Sequence, residues 1–328
     1  MIFKIPKNYK SIIADPIKNE EAIKFVRDTF IKLFRKEFNL IRTSCPIIVN
    51  SNDCINDDLN GQSNPIKFNI PAENFNAEIV HSLAKWKRIK LHQLNVPINQ
   101  GIYTNMNAIR THELLDNIHS IYVDQWDWEA VISPEDRTLD NLYSYVQRIY
   151  KCIKETEIKL SKKFKAIKPF LPDEIKCFTS SELKTLYKNK SQKDIEYLIT
   201  KENRAVFISQ LGAEYNRASD YDDWKLNGDI LIWSDVLNQP IEISSMGIRV
   251  DHVSLINQLN ESYECYKASF PYHESIIKKK LPLTIGGGIG QSRLCMLLLQ
   301  KAHIGEVQCS VWDQNTIEIA NKNNITLL

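Results

Sequence analysis

A glycine-rich stretch near the C-terminal end constrains the fold of this chain most strongly. Residues Leu283 to Arg293 read LTIGGGIGQSR and lead into the apolar run LCMLLL. Pro282 can precede a strand but cannot lie inside one, so the pattern predicts a strand, a glycine turn and a buried helix. The guanidinium of Arg293 would lie one turn into that helix. It needs an anionic or planar partner, because an unpaired buried charge is costly.

Two common glycine motifs do not fit this stretch. A P-loop requires Gly-Lys-Ser/Thr after its glycines, and a Rossmann fingerprint requires a third glycine where Arg293 stands. The pattern that fits is Gly-x-Gly-x-Gly-x-x-Arg, with Gly286, Gly288, Gly290 and Arg293 in the fixed places. It resembles motif 3 of the class II aminoacyl-tRNA synthetase fold, whose arginine holds ATP.

Length, composition and net charge limit the classes of protein and of binding partner that fit this sequence. The 328 residues can bury a large core, and 43% apolar with 25% charged residues is typical of a soluble globular protein. A net charge of +2 gives no electrostatic reason to expect a nucleic-acid or membrane partner. The seven cysteines include no Cys-x-x-Cys pair, and the seven histidines include no His-x-x-x-His pair. We therefore expect a cytoplasmic protein with free thiols and no zinc site.

An amphipathic helix and a proline-bearing strand are predicted near the N-terminus. Apolar residues recur at helical spacing from Glu20 to Phe38. Leu40 to Val49 then reads as one strand interrupted by Pro46, which should lie at a sheet edge or an interface. This order resembles motif 1 of the same fold, which builds a dimer interface, so we expect a homodimer there.

A pair of strands in the next part of the chain carries polar residues on one face. A strand from Tyr103 enters a polar loop with Arg110, and the chain returns as a strand from Ser120 to Glu129. Strand alternation places Gln125 and Asp127 on one face and the tryptophans on the other, which should be core. The polar face either binds a polar ligand or is half exposed to water. Arg110 and the returning strand resemble motif 2, whose arginine binds the α-phosphate of ATP.

Two polar segments each allow a structural and a functional interpretation. Asn50 to Asn76 is turn-rich, and it is either a solvated loop or a loop that closes over a substrate and brings Asp57 to a cationic group. Ser82 precedes a basic helix in which Lys87 either faces water or binds a carboxylate substrate.

An antiparallel hairpin is predicted farther along the chain, after an acidic loop from Asp220 to Trp224. Asp229 and Glu242 lie one on each arm of it. They either face solvent or bridge a Mg²⁺ ion to nucleotide phosphates. Gly247 would permit a turn that directs Arg249 inward.

Longer strings sharpen the resemblance to one family. They are SLAKWKR from Ser82, YVDQWDWE from Tyr122, LNGDIL from Leu226, SSMGIRV from Ser244 and the glycine stretch. These strings are similar to those of the ammonia-dependent asparagine synthetases, the aspartate–ammonia ligases, over nearly the whole chain. The resemblance implies one α+β catalytic domain over residues 1–328, with a mainly antiparallel sheet flanked by helices, of the class II synthetase type. The Asn50-to-Asn64 loop departs from the family, so Asp58 is an alternative to Asp57.

The resemblance also implies a reaction and a set of site residues. ATP would activate L-aspartate as a β-aspartyl-adenylate, which free ammonia converts to L-asparagine, with release of AMP and pyrophosphate. The implied catalytic residues are Arg110, Lys87, Gln125 and Asp57. The implied aspartate and ammonia site consists of Asp57, Ser82, Lys87, Gln125, Asp127, Asp222, Ser244, Ser245 and Arg249. The implied ATP site consists of Arg110, Ser120, Val123, Gly288, Gly290 and Arg293, and the implied Mg²⁺ ligands are Asp229 and Glu242.

Two alternatives remain open at this point. One is an aminoacyl-tRNA synthetase or a tRNA-binding paralogue, although the sequence offers no basic patch and no separate anticodon-binding domain. The other is a non-catalytic nucleotide-binding protein on the same fold, against which the intact Arg110, Asp229, Glu242 and Arg293 argue. We expect aspartate, ammonia and ATP as small-molecule partners, and neither a nucleic acid nor a membrane.

Overall fold

The chain forms a large sheet, a small sheet and surrounding helices. The computed structural model describes residues 3–57, 64–72, 74–212 and 219–328. The strands in these ranges are β1 (Leu40–Arg42), β2 (Ile48–Asn50), β3 (Lys67–Ile70), β4 (Phe75–Ile79), β5 (Gly101–Ile109), β6 (Tyr122–Val131), β7 (Lys176–Thr179), β8 (Ala205–Ser209), β9 (Asp222–Ser234), β10 (Gln239–Arg249) and β11 (Thr284–Gly290). The α-helices in these ranges are α1 (Pro16–Glu37), α2 (Ala84–Gln93), α3 (Leu139–Lys163), α4 (Ser180–Leu186), α5 (Gln192–Asn203), α6 (His252–Glu261), α7 (Pro271–Ile277), α8 (Gln291–Leu298) and α9 (Gln314–Lys322).

The large sheet has the strand order β1-β5-β6-β11-β10-β9-β8-β7. Only its two outermost pairs, β1 with β5 and β7 with β8, are parallel, and every other neighbouring pair is antiparallel. The small antiparallel sheet has the order β2-β4-β3. The predicted fold class, an α+β protein with a mainly antiparallel sheet, is confirmed. Within the described ranges, no helix combines the length and the apolar character needed to cross a membrane.

Helix α1 packs on the large sheet through its apolar stripe. The side chain of Asp15 caps its N-terminus by accepting a hydrogen bond from a backbone N–H of the first turn (2.8 Å). The rings of Phe30 and Phe34 are fully buried, with centroids 4.8 Å from Trp126 and 5.7 Å from Trp128, respectively. The predicted N-terminal helix is therefore confirmed, as is the prediction that the tryptophan face of β6 belongs to the core.

The segment from Leu40 to Val49 is not the single strand that its sequence predicts. It forms β1 and β2, which belong to different sheets, and Pro46 lies between them because proline cannot continue a hydrogen-bonded ladder. β1 does lie at an edge of the large sheet, as the proline pattern predicts. The region from Asn50 to Asn76 is more than a loop, since its described part includes β3 and the start of β4.

The glycines from Gly286 to Gly290 lie in β11 and not in a turn, which corrects the sequence-based prediction. β11 pairs with β6 on one side and β10 on the other. A Cβ atom at Gly286 would lie 2.2 Å from Glu129 Oε2, and one at Gly288 would lie 2.1 Å from Gln125 Oε1. At Gly286 a Cβ would also lie 2.6 Å from the backbone carbonyl oxygen of Trp128, so glycine is required there, whereas at Gly288 a Cβ would have to displace the end of the Gln125 side chain. Helix α8, which follows directly, is buried as predicted.

The hairpin of β9 and β10 is confirmed and is longer than predicted. β9 begins at Asp222, so the predicted acidic loop ends there, and Asp222 pairs with Arg249 in the strand ladder. Gly247 also lies in β10 and makes no turn. A Cβ atom at Gly247 would lie 2.9 Å from Asp222 Oδ1, and the strand register shifts between Gly247 and Arg249. We infer that this irregularity, and not a turn, directs Arg249 inward.

Candidate active site

A cavity of about 410 Å³ lies over the polar side of the central strands β6, β11 and β10. This volume is typical of a site for a small molecule or cofactor. Many of the residues proposed from sequence line it together, namely Asp57, Arg110, Ser120, Val123, Gln125, Asp229, Glu242, Ser245, Gly288, Gly290 and Arg293. On the predicted polar face of β6, Gln125 lines this cavity and Asp127 is buried outside it, so neither faces open solvent.

Two guanidinium groups line this cavity. Arg110, at the end of β5, is half-buried, and its Nη2 donates a hydrogen bond to the carbonyl of His81 (3.2 Å). Arg293, in the first turn of α8, donates from Nη1 to the carbonyl of Glu242 (3.1 Å) and lies 3.7 Å from the Glu242 carboxylate. The predicted anionic partner of Arg293 is thus present. Both side chains remain in a position to meet an anionic ligand in the cavity.

Asp229 on β9 and Glu242 on β10 line the same cavity from adjacent strands. In the part of the chain that the structure describes, no group of three or more His, Cys, Asp or Glu side chains is arranged to hold a metal ion. Mg²⁺ typically binds one or two protein carboxylates and takes its remaining ligands from water and substrate phosphates. The donor set of Asp229 and Glu242 fits that mode of binding.

A buried charge cluster lies outside the cavity wall and consists of Lys87, Asp127, Glu129, Arg249 and Asp222. Lys87 is 1% exposed, forms a salt bridge with Asp127 and donates hydrogen bonds to the carbonyls of Trp128 (3.0 Å) and Gly287 (3.2 Å). Burial lowers the pKa of Lys87 and raises that of Asp127. Of the two alternatives given for Lys87, exposure to water is therefore wrong, since its side chain points into the protein interior.

Arg249 joins two carboxylates of the buried charge cluster. Its Nε and Nη2 contact the carboxylate of Glu129 at 2.8 to 3.1 Å, and its Nη1 contacts Asp222. Although burial acts in the opposite direction, the Asp222 and Glu129 carboxylates hold the pKa of Arg249 well above its ordinary value. Thr284 completes the arrangement by donating to Glu129 (2.7 Å). Sequence reasoning assigned no role to Glu129 or Thr284, although Glu129 lies on the predicted polar face of β6.

The remaining proposed residues do not line the cavity. They are Ser82, Lys87, Asp127, Asp222, Ser244 and Arg249. Ser82 accepts a hydrogen bond from the backbone N–H of Ala84 (3.2 Å) at the start of α2, and Ser244 is buried in β10 beside the cavity residue Ser245.

Asp57 occupies the wall of the cavity beside a tyrosine that sequence reasoning did not select. Tyr221 Oη donates a hydrogen bond to Asp57 Oδ2 (2.9 Å), and His81 Nδ1 donates to the Asp57 carbonyl (3.1 Å). The side chain of Asn56 accepts from the backbone N–H groups of Asp57 (3.1 Å) and His81 (2.8 Å). The alternative residue, Asp58, lies outside the described residues.

Comparison with known proteins then decides the family. The family model of aspartate–ammonia ligases matches residues 17–324. The chain belongs to the aspartate–ammonia ligase family. Among relatives, the aspartate–ammonia ligase of Clostridium tetani is 47% identical in an alignment of 332 positions, which covers 99% of this chain and 97% of the relative. That of Bacillus mycoides is 50% identical in an alignment of 313 positions, which covers 93% of this chain and 96% of the relative.

Solved structures of aminoacyl-tRNA synthetases share the fold of this ligase-family chain. The asparaginyl-tRNA synthetase of Pyrococcus horikoshii complexed with asparaginyl-adenylate has a TM-score of 0.68 at 17% identity, over 89% of this chain and 68% of that chain. The asparaginyl-tRNA synthetase of Entamoeba histolytica has a TM-score of 0.66 at 13% identity, over 90% of this chain and 69% of that chain. At these identities the likeness shows the fold alone, and it confirms the predicted class II synthetase type. With the family match, the chain is an enzyme of the aspartate–ammonia ligase type.

Proposed function

We propose that this protein makes L-asparagine from L-aspartate, free ammonia and ATP through a β-aspartyl-adenylate, and that it releases AMP and pyrophosphate. One observation carries the proposal. In a member of the aspartate–ammonia ligase family, a single cavity brings together two guanidinium groups, two acidic side chains on adjacent strands and the amide of Gln125. These groups match the charges of a nucleotide, its metal ion and an amino-acid substrate.

Activation of the β-carboxylate of aspartate is the step that depends on the charged groups of this cavity. A carboxylate oxygen of aspartate attacks the α-phosphorus of ATP, and the bond to pyrophosphate breaks. Ammonia then attacks the activated carbonyl carbon, AMP leaves with the oxygen, and the nitrogen loses one proton to give the amide. Negative charge shifts at the α-phosphate during the first step, so a fixed cation stabilises its transition state. We assign that role to Arg110, and we assign the binding of the nucleotide to Arg293 together with Ser120, Val123, Gly288 and Gly290.

We assign the binding of Mg²⁺ to Asp229 and Glu242. When bound, the ion would neutralise charge on the nucleotide phosphates. Glu242 lies 3.7 Å from Arg293, and Asp229 lines the same cavity, so the metal ion and the arginine would act on the same nucleotide.

We place aspartate at the Gln125 side of the cavity. Gln125 comes within reach because Gly288 has no side chain in its way. Lys87 and Arg249 supply positive charge close to this side, although carboxylates of the buried charge cluster contact both. We propose that these two cations attract the carboxylates of aspartate, and that Ser82, Ser244, Ser245, Asp57, Asp127 and Asp222 complete the aspartate and ammonia site.

The direct test is incubation with aspartate, ATP, Mg²⁺ and ammonium, followed by assay of asparagine, AMP and pyrophosphate. The expected result is equal formation of the three products, with no asparagine when ammonium is left out. Formation of ADP and phosphate would overturn the adenylate mechanism. Pyrophosphate exchange that depends on tRNA would favour a synthetase, and ATP binding without turnover would favour a non-catalytic nucleotide-binding protein.

Replacement of Asp229 by Asn or of Glu242 by Gln should raise the Mg²⁺ concentration needed for half-maximal activity by at least about tenfold. The reason is that loss of even an outer partner of a metal site commonly weakens metal binding by about 10–100-fold. The measurement is a Mg²⁺ titration of asparagine formation at saturating substrates. Asp235→Asn, at an exposed carboxylate paired with Arg204, is the control. An unchanged Mg²⁺ requirement in both site variants would contradict the assignment.

We also propose a homodimer formed around the N-terminal helix and the strands after it. The apolar stripe of α1 is covered by the chain's own core, so the candidate contacts are the exposed Ile41 (55% exposed) and Ile47 (57%). Light scattering at micromolar concentration should give about twice the chain mass of 38.1 kDa. The double variant Ile41→Asp, Ile47→Asp should shift the measured mass toward one chain mass, whereas Ile256→Asp, at an exposed isoleucine on α6, should not. A monomeric wild type would exclude the homodimer.

A further inference from the structure

Tyr221 lies where the cavity meets the buried charge cluster. Its hydroxyl donates a hydrogen bond to Asp57 Oδ2 (2.9 Å), and the guanidinium carbon of Arg249 lies 5.4 Å from the centre of its ring. Its carbonyl accepts a hydrogen bond from the backbone N–H of Val250 (3.0 Å). One side chain therefore contacts both a carboxylate and a guanidinium, the two kinds of group that would bind the amino end and the carboxylate end of an amino acid.

The residue before Tyr221 is anchored in the interior. The side chain of Asp220 is 9% exposed and accepts hydrogen bonds from Lys85 Nζ (2.9 Å) and His273 Nε2 (2.9 Å). Although burial acts in the opposite direction, Lys85 and His273 hold the pKa of Asp220 well below its usual range, so this anchor is ionised at neutral pH. The position of Tyr221 is thus set by buried ion pairs and not by a loose loop.

The residue after Tyr221 is anchored as well. The hydroxyl of Ser219 donates to Asp222 Oδ2 (3.2 Å) and accepts from the Asp222 backbone N–H (3.1 Å). Asp222 also pairs with Arg249. With both neighbours fixed, the Tyr221 hydroxyl is held at one place in the cavity wall.

The three candidate carboxylates of the aspartate and ammonia site differ in their partners. Asp127 forms a salt bridge with Lys87, and Asp222 forms one with Arg249, so a buried cation offsets the charge of each. Asp57 differs from both because it lines the cavity, whereas Asp127 and Asp222 do not, and its carboxylate accepts a hydrogen bond from the phenol of Tyr221, which orients it. Burial, the largest cause, and the nearby Asp57 raise the pKa of Tyr221, so the phenol remains a donor.

We infer that Tyr221 is a positioning residue that holds Asp57 in place to bind the α-ammonium group of aspartate. The Tyr221–Asp57 pair then determines the preference for an amino acid over a dicarboxylic acid that lacks the amino group. This inference rests on the proposed function, because it concerns the same cavity and substrate. It also divides the work among the acidic residues, since it gives the amino group to Asp57 and leaves Asp127 and Asp222 with the buried cations.

The first test is Tyr221→Phe, which removes only the hydroxyl. The KM for aspartate should rise about tenfold, as expected for loss of a hydrogen bond to a charged group. The KM for ATP and the kcat at saturating aspartate should stay close to wild type. The inhibition constant of succinate, which is aspartate without its amino group, should also stay unchanged. Tyr143→Phe is the matched control, because Tyr143 is also half-buried and its hydroxyl bonds Ser209 (2.9 Å) outside the cavity.

The comparison with succinate separates positioning from a structural role. General loosening of the site would weaken aspartate and succinate alike, and that result would overturn the inference. So would a Tyr221→Phe enzyme with wild-type KM for aspartate. A wild type that makes no asparagine would instead overturn the proposed function. Calorimetric titration with aspartate and with succinate would then test the inference without turnover, and equal affinity for both in the wild type would overturn it.

A second variant keeps the inference testable if Tyr221→Phe does not fold. Asp57→Asn keeps Tyr221 and should reduce the preference for aspartate over succinate at least as much as Tyr221→Phe does. In the double variant, Tyr221→Phe should cause no further loss, because the two residues act through one interaction. Losses that multiply in the double variant, or an Asp57→Asn enzyme that keeps the wild-type preference, would show that the two residues act independently.

Discussion

Replacement of Arg249 by methionine is expected to stop asparagine synthesis and to lower the free energy of unfolding by about 3–5 kcal/mol. Arg249 is 2% exposed and pairs with Glu129 and Asp222, both of them buried. Methionine fills much of the same space but removes the cation that Asp222 and Glu129 share, and leaves Glu129 with only the more distant Lys87 (3.8 Å). The cost of removing one partner of a buried ion pair is large because the remaining charge cannot reach water.

Urea denaturation of the purified variant measures the stability effect, and the asparagine assay measures the loss of activity. Arg148→Met is the matched control, because Arg148 pairs with Glu37 at the surface, where each side chain is 37% exposed. An exposed pair contributes about 1 kcal/mol or less. An Arg249→Met protein as stable as this control would mean that the buried charge cluster does not hold the site together.

Replacement of Arg110 by lysine is expected to lower kcat by about 100-fold while the fold stays intact. The substitution keeps the positive charge but loses the planar pair of donors that can contact two phosphate oxygens at once. The proposed contact is strongest in the transition state, so the loss should appear in kcat more than in the KM for ATP. The described hydrogen bond of Arg110 to the His81 carbonyl is a single one, which limits the structural cost.

Steady-state kinetics in ATP and in aspartate test this prediction, with nucleotide titration to measure binding directly. Arg42→Lys, at an exposed arginine on β1, is the control for a change of arginine to lysine on the same sheet. Normal turnover of the Arg110→Lys enzyme would show that Arg110 does not stabilise the charge at the α-phosphate. A rise in the KM for ATP at unchanged kcat would mean that Arg110 binds ATP equally well before and during the reaction.

Local patterns in the sequence predicted the elements that depend on local interactions. The alternation along β6 correctly separated Trp126 and Trp128, which contact α1, from Gln125, which lines the cavity. The helical spacing of apolar residues likewise predicted α1 to within a few residues. Period and propensity suffice for such elements because one buried face determines both the type and the orientation of the element.

The errors concern residues whose surroundings come from distant parts of the chain. The glycines of β11 indicate that another group approaches the backbone closely, but they do not say which one. The side chains that do so belong to β6, more than 150 residues away in sequence. Three basic residues in four suggested a solvated face, yet Lys87 is buried because Asp127 on another strand pairs with it. Tyr221 stood in an acidic segment that drew attention to its neighbours. Its role follows from a contact with Asp57, 164 positions away.

The glycines of β11, which present backbone and no side chains to the site, limit how mutations can alter the substrate of this enzyme. A methyl group at Gly286 would lie 2.6 Å from the Trp128 carbonyl oxygen, and one at Gly288 would displace the end of the Gln125 side chain, so β11 contributes backbone and no side chain to the middle of the site. Selection and engineering can therefore alter the substrate only from the flanking strands. A larger residue at Gly288 needs a shift of Gln125 or a smaller side chain in its place, and at Gly286 the Trp128 carbonyl remains in the way whatever the β6 side chain is. Such paired changes are rare in single mutational steps, and we expect the chemistry of the site to be far more constant than its loops.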